Sequence, residues 1–186
     1  MQTKLYESTT FKGSHRGIHF KIIRWFYESD IHQEKPKWNY CIFLNLENFV
    51  DQKLAKKFWP KDAQFSTGGS WYTPYNKIPF IHSMDFHCGP TFFQKHVYPG
   101  NRKIVEIGCD YSHLYDEGVY YDEQSILYDV RNSIEKFHEM VEYKVRCDGN
   151  GKLYLESEGQ YRNNGFFSNE WTDKNKPTQE NEDQTN

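Results

Sequence analysis

The chain has 186 residues, enough for one domain with a sizeable core, and a formal net charge of −3. Aromatic residues make up 18% of it, so rings must fill much of the core, which favours β-strands. The small negative charge does not support a generic nucleic-acid-binding domain. No apolar stretch resembles a membrane span or a signal peptide, and four cysteines without a CxxC pair indicate neither a disulfide framework nor a zinc ribbon. We expect a cytoplasmic protein with reduced thiols and no membrane contact.

Charge is distributed unevenly along the chain. Positions 1–104 contain 15 Lys and Arg against 8 Asp and Glu, whereas positions 105–186 contain 8 against 18. Opposite charges arranged in this way can neutralise each other within the fold, or they can form separate faces for a partner. Contact with RNA through the basic half is therefore one open interpretation.

The first predicted elements are two strands, over 17–25 and 38–46. In the first strand apolar residues alternate with polar ones, as in a strand with one buried face. The apolar positions are Ile18, Phe20 and Ile22. The charged stretch 29–37 between the strands indicates a solvated hairpin loop.

A short helix is predicted within 45–59, because its apolar residues have helical spacing and Pro60 can end it. These residues are Phe49, Leu54 and Phe58. The next segment, 61–80, combines glycines and prolines with aromatic residues, among them Trp71, Tyr72 and Tyr75. Long ordered loops are often functional, so we expect this loop to take part in binding.

Two further strands are predicted over 84–94 and 102–110, joined by a turn at 98–101 that contains a Pro-Gly pair. The longest helix is predicted over 123–143, where apolar residues recur at steps of three and four and Asp122 can cap the first turn. Beyond it, the Asp-Gly-Asn-Gly sequence indicates a hairpin between strands over 143–146 and 152–156.

Together these elements predict an α+β fold. We expect an antiparallel sheet of about five to six strands built from hairpins, packed against one long and one short helix. A single domain is expected over 1–166. The remaining residues, 167–186, are polar and poor in aliphatic side chains, which predicts a disordered tail.

The rarest residue types are concentrated in two segments, 85–93 and 106–118. They contain His87, Cys88, Cys109, Asp110, His113 and Asp116. Strand alternation directs Cys109 inward with Val105 and Ile107, and Asp110 outward with Glu106 and Gly108.

Three interpretations of these residues are open. Asp110 and Asp116 can accept hydrogen bonds from His113, Tyr111 and backbone amides in a satisfied polar network. One divalent ion, zinc or manganese, can be held by His87, Asp110, His113 and Asp116, although the spacing matches no familiar zinc signature. Cys109, His113 and Asp116 can form a nucleophile, base and orienting acid.

Three sets of residues are candidates for binding a partner. Exposed lysines can contact RNA phosphates, and these are Lys53, Lys56, Lys57 and Lys61. Aromatic residues of the long loop can anchor an interface, and these are Trp71, Tyr72 and Tyr75. A run of carboxylates can form an acidic knob that engages cationic side chains, and it includes Asp110, Asp116 and Glu117.

The pattern HCGPTFF, then IGCDYSHLYDEG, then the helical SILYDVRNSIEKF, resembles a group of small phage-encoded proteins of mostly unassigned function. Their hallmark is approximately HGG-T-aromatic, then GFDCAH-GD, then an amphipathic helix. The matching positions are His87, Gly89, Thr91, Gly108, Asp110, His113 and Asp116. The chain departs from the hallmark at Cys88, Cys109 and Tyr111. The resemblance covers 85–140, roughly a third of the chain.

The resemblance implies a mobile-element origin. Small phage proteins often inhibit host enzymes or defence systems, anti-CRISPR proteins among them, so by analogy we expect a host–virus interaction protein in the cytoplasm of an infected bacterial cell. It is expected to bind and inhibit a host protein or ribonucleoprotein, such as a CRISPR effector with its guide RNA, without catalysis or cofactor. A metal-dependent hydrolase and a self-associating assembly protein are the alternatives, and the sequence does not set the oligomeric state.

Overall fold

The computed structural model describes residues 5–27, 36–60, 81–112, 116, 118–144 and 154–161, with the backbone alone described at 5–7, 27, 82 and 154–161. These residues form six strands and two α-helices. The strands are β1 (Leu5–His15), β2 (Ile18–Tyr27), β3 (Lys37–Asn45), β4 (Phe92–Tyr98), β5 (Arg102–Asp110) and β6 (Tyr154–Tyr161), and the helices are α1 (Gln52–Lys57) and α2 (Glu123–Met140).

The strands form one antiparallel sheet in the order β4-β5-β3-β2-β1-β6. The β1–β2 hairpin closes through Arg16 and Gly17, with φ angles of 46° and 77°. Positive φ at both central residues defines the tight turn that matches the natural twist of paired strands. The predicted α+β fold, an antiparallel sheet with one long and one short helix, is confirmed.

One face of the sheet packs against α2. The predicted alternation of β2 is confirmed, since Ile18, Phe20 and Ile22 are buried on this face. At one end of the core, four aromatic rings pack with centroids 5.1–6.4 Å apart. They belong to Phe49, Phe58, Phe137 and Tyr143. Burial of each such side chain contributes about 1.5–3 kcal/mol, so rings replace the scarce aliphatic residues as the main filling of this region.

Both helices begin where side chains can cap them. The Asp122 carboxylate accepts a hydrogen bond of 2.8 Å from the backbone N–H of Ser125, which confirms the predicted cap of α2. The helix ends at Met140, earlier than predicted, because Val141 adopts extended backbone angles. The predicted short helix is shorter than 45–59, since a 3₁₀ turn at Leu46–Asn48 precedes α1. Neither helix of the described residues has the length and apolar character needed to span a bilayer.

The predicted strand over 84–94 is confirmed at 92–94 and wrong before that. A 3₁₀ turn occupies Ile81–Met84, and β4 begins only at Phe92. Between them the chain turns tightly, with positive φ at Asp85, Cys88 and Gly89. Pro90 has no backbone N–H to donate to a ladder, so sheet pairing cannot extend back through this segment.

Strand β1 was not predicted, because Phe11 is its one buried apolar side chain among those described. Pairing with β2 on one side and β6 on the other compensates for this weak pattern. The predicted strand over 143–146 is reduced to a single bridge between Tyr143 and Phe49, with 145–146 outside the described residues. The loops 29–35 and 61–80, the 147–151 hairpin and the 167–186 tail also lie outside them.

Candidate functional site

Strand β5 connects two chemically different ends of the sheet. It starts with Arg102 and Lys103 and finishes with Asp110. We call the region around its start the basic end, formed by Lys53, Lys56, Lys57, Trp59, Lys95, Tyr98, Arg102 and Lys103. We call the region around its finish the acidic end, formed by His87, Cys88, Asp110, Tyr111, Asp116, Tyr121 and Asp129. The charge segregation along the sequence persists at these two ends, whereas Arg16, Lys21 and Arg24 are neutralised within the fold by Glu135, Glu106 and Glu123.

His87 is the centre of the acidic end. Its Nε2–H donates a hydrogen bond of 2.7 Å to Asp116 Oδ1, and Tyr121 donates to the same oxygen over 2.9 Å. The imidazole stacks on the ring of Tyr111 with centroids 4.2 Å apart, and the Tyr111 hydroxyl donates to Asp129 over 2.5 Å. Burial and the Asp116 hydrogen bond raise the pKa of Tyr121 to about 12. The carboxylates of Asp116 and Asp129 thus fix three aromatic rings. The hydrogen bond from Tyr111 to Asp129 also connects the loop before α2 to the helix.

A second set of hydrogen bonds fixes the end of β5. Thr91 donates through its hydroxyl to Asp110 Oδ2 over 2.7 Å, while the backbone N–H of Asp110 donates to the same hydroxyl over 3.1 Å. The other carboxylate oxygen of Asp110 accepts from the backbone N–H of Ser112, also over 3.1 Å. These contacts hold Thr91, just before β4, beside the last residue of β5.

A third set of hydrogen bonds lies next to the tight turn at 85–89, which contains His87. The Ser133 hydroxyl of α2 donates to the backbone carbonyl of Asp85 over 3.1 Å and accepts from the buried Tyr40 hydroxyl over 2.7 Å. The Tyr40 ring also stacks on Phe86, with centroids 5.6 Å apart. The turn is therefore bound to both the sheet and the helix.

The thiols of this region are poor nucleophiles. Cys88 is exposed, and partial burial with the nearby carboxylates of Asp116 and Asp110 raises the pKa of its thiol. Cys109 is buried, which raises the pKa of its thiol well above 9.0. Because the thiolate is the reactive form, this geometry does not favour the Cys109 nucleophile considered from the sequence.

The structure brings together two of the four proposed metal ligands, His87 and Asp116. Asp110 lies nearby but accepts hydrogen bonds from Thr91 and Ser112, and His113 lies outside the described residues. Within the described part of the chain, no three His, Cys, Asp or Glu side chains converge to hold a metal ion. Of the three interpretations, the contacts of Asp110 and Asp116 agree with the polar network. Tyr111, however, donates its hydroxyl hydrogen to Asp129 and not to Asp110 or Asp116.

The basic end has a different character. Lys53, Lys56 and Lys57 are exposed on and beside α1, and no carboxylate of the described residues lies within ion-pair distance of them. The ammonium groups of Lys95 and Lys103 lie 5.7 and 5.6 Å from the centre of the Trp59 ring. Cations from β4 and β5 thus meet over Trp59, two residues beyond the end of α1.

Two carboxylates moderate this charge. Asp51 is exposed, but its side chain accepts the backbone N–H groups of Lys53 and Leu54 as the cap of α1. Glu47 is exposed in the preceding 3₁₀ turn. With six cationic side chains in its definition, the basic end keeps a clear positive excess.

The sequence did not indicate a third cluster, on the face of the sheet opposite α2. Glu106 is 1% exposed and forms ion pairs with Lys21 and, over 2.7 Å, with His96. The expectation that Glu106 faces solvent is therefore wrong, although it does lie opposite Val105 and Ile107. The alternation in β2 identified Lys21 as polar. Its partners come from β4 and β5. The pattern of a single strand cannot show contacts with other strands.

The remaining predicted binding residues divide into two groups. Asp116 has a side chain only 7% exposed, so it belongs to the network and not to an exposed acidic knob. The others lie outside the described residues, and they are Lys61, Trp71, Tyr72, Tyr75 and Glu117. Sequence analysis also missed Lys95 and Lys103. One indication of them was present in the sequence: Lys95 lies two residues from Phe93, and Lys103 two residues from Val105, so each lysine is on the same face of its strand as an apolar residue.

Comparisons with family models, with curated proteins and with solved structures gave no match to this chain.

Proposed function

We propose that this chain is a non-catalytic binding protein whose basic end contacts the RNA of a ribonucleoprotein. The observation that carries the proposal is that Lys95 and Lys103, from β4 and β5, meet over Trp59, which closely follows the exposed lysines of α1 in the chain. Phosphate contacts by Lys and Arg supply most of the affinity of sequence-independent nucleic-acid binding. A local patch of this kind suffices for them even in a chain of net charge −3.

The acidic end supports binding over catalysis. Asp116 accepts hydrogen bonds from His87 and Tyr121, and Asp110 accepts from Thr91 and Ser112. Carboxylates engaged in this way fix loops in place. The metal-dependent hydrolase considered from the sequence needs Asp110 to exchange these hydrogen bonds for a metal ion, so the contacts favour it less.

The resemblance of 85–140 to phage-encoded proteins suggests the biological setting of this proposal. In that setting the ribonucleoprotein is a host defence effector, such as a CRISPR nuclease with its guide RNA, and the chain inhibits it by occupying its RNA.

The test is RNA binding by the Lys53→Gln/Lys56→Gln/Lys57→Gln variant, measured by fluorescence anisotropy between about 50 and 200 mM salt. Each lost phosphate contact should lower the slope of log Kd against log salt by about 1, and the affinity should fall at least tenfold. The variant should keep its stability to within about 0.5 kcal/mol, because the three side chains are exposed.

The matched control removes the same charge elsewhere, in the variant Lys37→Gln/Arg131→Gln/Lys136→Gln. It should keep both the affinity and the salt slope of the wild-type chain. Equal losses in the two variants would show a general charge effect and would contradict a specific basic end. In a second assay, inhibition of target cleavage by an RNA-guided nuclease should depend on the three α1 lysines in the same way.

A further inference from the structure

We infer that the basic end binds double-helical RNA through its phosphates, without stacking on bases or reading their edges. This inference rests on the proposed function and specifies its ligand. It is carried by what the aromatic and amide side chains of the basic end already contact.

The aromatic rings of the basic end already hold cations. Proteins that bind single strands use aromatic side chains as platforms on which bases stack. Trp59 lies beneath the ammonium groups of Lys95 and Lys103, at 5.7 and 5.6 Å from the ring centre. Tyr98 carries the Arg102 guanidinium at 5.2 Å. A base that stacks on the occupied face of either ring must displace a cation that favours RNA binding.

A third aromatic residue next to α1, Phe58, is fully buried and packs against Phe49. Its ring belongs to the core and offers no surface to a ligand. Within the described residues of the basic end, each of the two partly exposed rings, Trp59 and Tyr98, thus has a cation within 6 Å of its centre.

Two amide side chains next to α1 are also engaged. Asn and Gln are the residues that read adenine edges by paired hydrogen bonds. The Gln52 amide donates to the backbone carbonyls of Leu46 and Phe49, over 3.3 and 2.6 Å. Asn45 accepts the backbone N–H of Glu47 through its side chain, over 3.1 Å. Both amides hold the turn that leads into α1, so recognition of bases is not their role.

A surface that offers cations but no aromatic ring for base stacking distinguishes nucleic acids by the density of their phosphate charges. A duplex presents the phosphates of two strands along one axis, and each neutralised phosphate contributes about 0.9 to the salt slope for double-helical DNA against about 0.7 for single strands. With about four phosphate contacts, this difference favours a duplex by roughly fivefold near 0.1 M salt. The same order is expected for RNA, because its paired strands also bring two rows of phosphates together.

The experiment compares two labelled RNAs of equal length, a hairpin with a fully paired stem and a strand designed to remain unpaired, by anisotropy with the full chain. The hairpin should bind about fivefold more tightly with the steeper salt slope, and a hairpin of scrambled stem sequence should bind equally well. Tyr98→Leu should change the affinity for both RNAs by the same factor, and Trp59→Leu should do so as well if circular dichroism shows it folded.

Each other outcome has a definite meaning. Equal or tighter binding of the unpaired strand, or a selective loss of that binding in Tyr98→Leu, would overturn the inference and leave the proposed function standing. A preference for one stem sequence would overturn it too, since it requires base reading. Failure of the wild-type chain to bind either RNA would refute the proposed function and the inference with it.

Discussion

The two ends of β5 use charge in opposite ways. At the acidic end, His87 contacts Asp116, Thr91 contacts Asp110, and Tyr111 contacts Asp129, so the polar groups hold the loops of the protein together. At the basic end, Lys53, Lys56 and Lys57 are exposed. A charge with a partner inside the protein contributes mainly to stability, whereas an exposed charge contributes little to stability and is available to a ligand.

The largest effect on stability is expected for the buried ion pair between Lys21 and Glu106, at the midpoint of β5. Lys21→Met should lower the free energy of unfolding by about 3–5 kcal/mol, because it leaves the buried Glu106 carboxylate without its ammonium partner. Urea unfolding at neutral pH measures the change. The control Lys136→Met removes a lysine that is 46% exposed and should cost no more than about 0.5 kcal/mol. Similar losses for the two variants would show that burial does not govern the role of these charges.

The acidic end should show a smaller but coupled effect. Asp116→Ala removes the acceptor of both His87 and Tyr121 and should cost about 2–4 kcal/mol in unfolding free energy. In a double-mutant cycle with His87→Ala, the coupling energy should exceed about 1 kcal/mol.

A matched cycle pairs His87→Ala with Asp122→Ala, which removes the exposed cap of α2. Its coupling energy should stay within about 0.5 kcal/mol, since Asp122 contacts Ser125 and not His87. A cycle without coupling between His87 and Asp116 would mean that the acidic end is not a cooperative network.

Acid should weaken the internal charges of the protein. Burial by itself raises the pKa of Glu106, but hydrogen bonds from His96 and Lys21 and their charges outweigh it, so the net pKa lies below the ordinary value of 4.5. A carboxyl group with a lowered folded-state pKa contributes stability above its unfolded-state pKa. That contribution is lost as the pH falls from about 4.5 through the folded-state pKa.

Unfolding free energies measured between about pH 3 and pH 7 test this dependence. Glu106→Gln should flatten the acid limb of the profile, whereas Glu139→Gln, on the exposed side of α2, should keep the wild-type slope. An unchanged slope in Glu106→Gln would place the acid sensitivity in other carboxyl groups, such as Glu135, whose pKa is also lowered.

Local patterns sufficed for much of the fold. Alternation identified β2, the strand over 38–46 was also predicted, the three- and four-residue spacing identified α2, and Asp122 marked its first turn. These elements contain enough apolar residues in one phase to define a buried face. The turn at 85–91 was predicted incorrectly as a strand, since its apolar residues resemble those of β4 and the strain at Asp85 and Cys88 leaves no mark in the sequence.

The residue types and the order of the charges were enough to determine that this chain forms an α+β fold with a core rich in aromatic rings. They also showed that basic and acidic residues are segregated along the sequence. Only the tertiary structure decided which charges are internal and which are exposed. Glu106 on β5 meets Lys21 from β2 and His96 from β4, and Trp59 meets Lys95 and Lys103 from β4 and β5, because sheet order and helix packing bring together residues far apart in the chain. Alternation gives the face on which a side chain lies, but its partner and its exposure depend on the strands placed beside it.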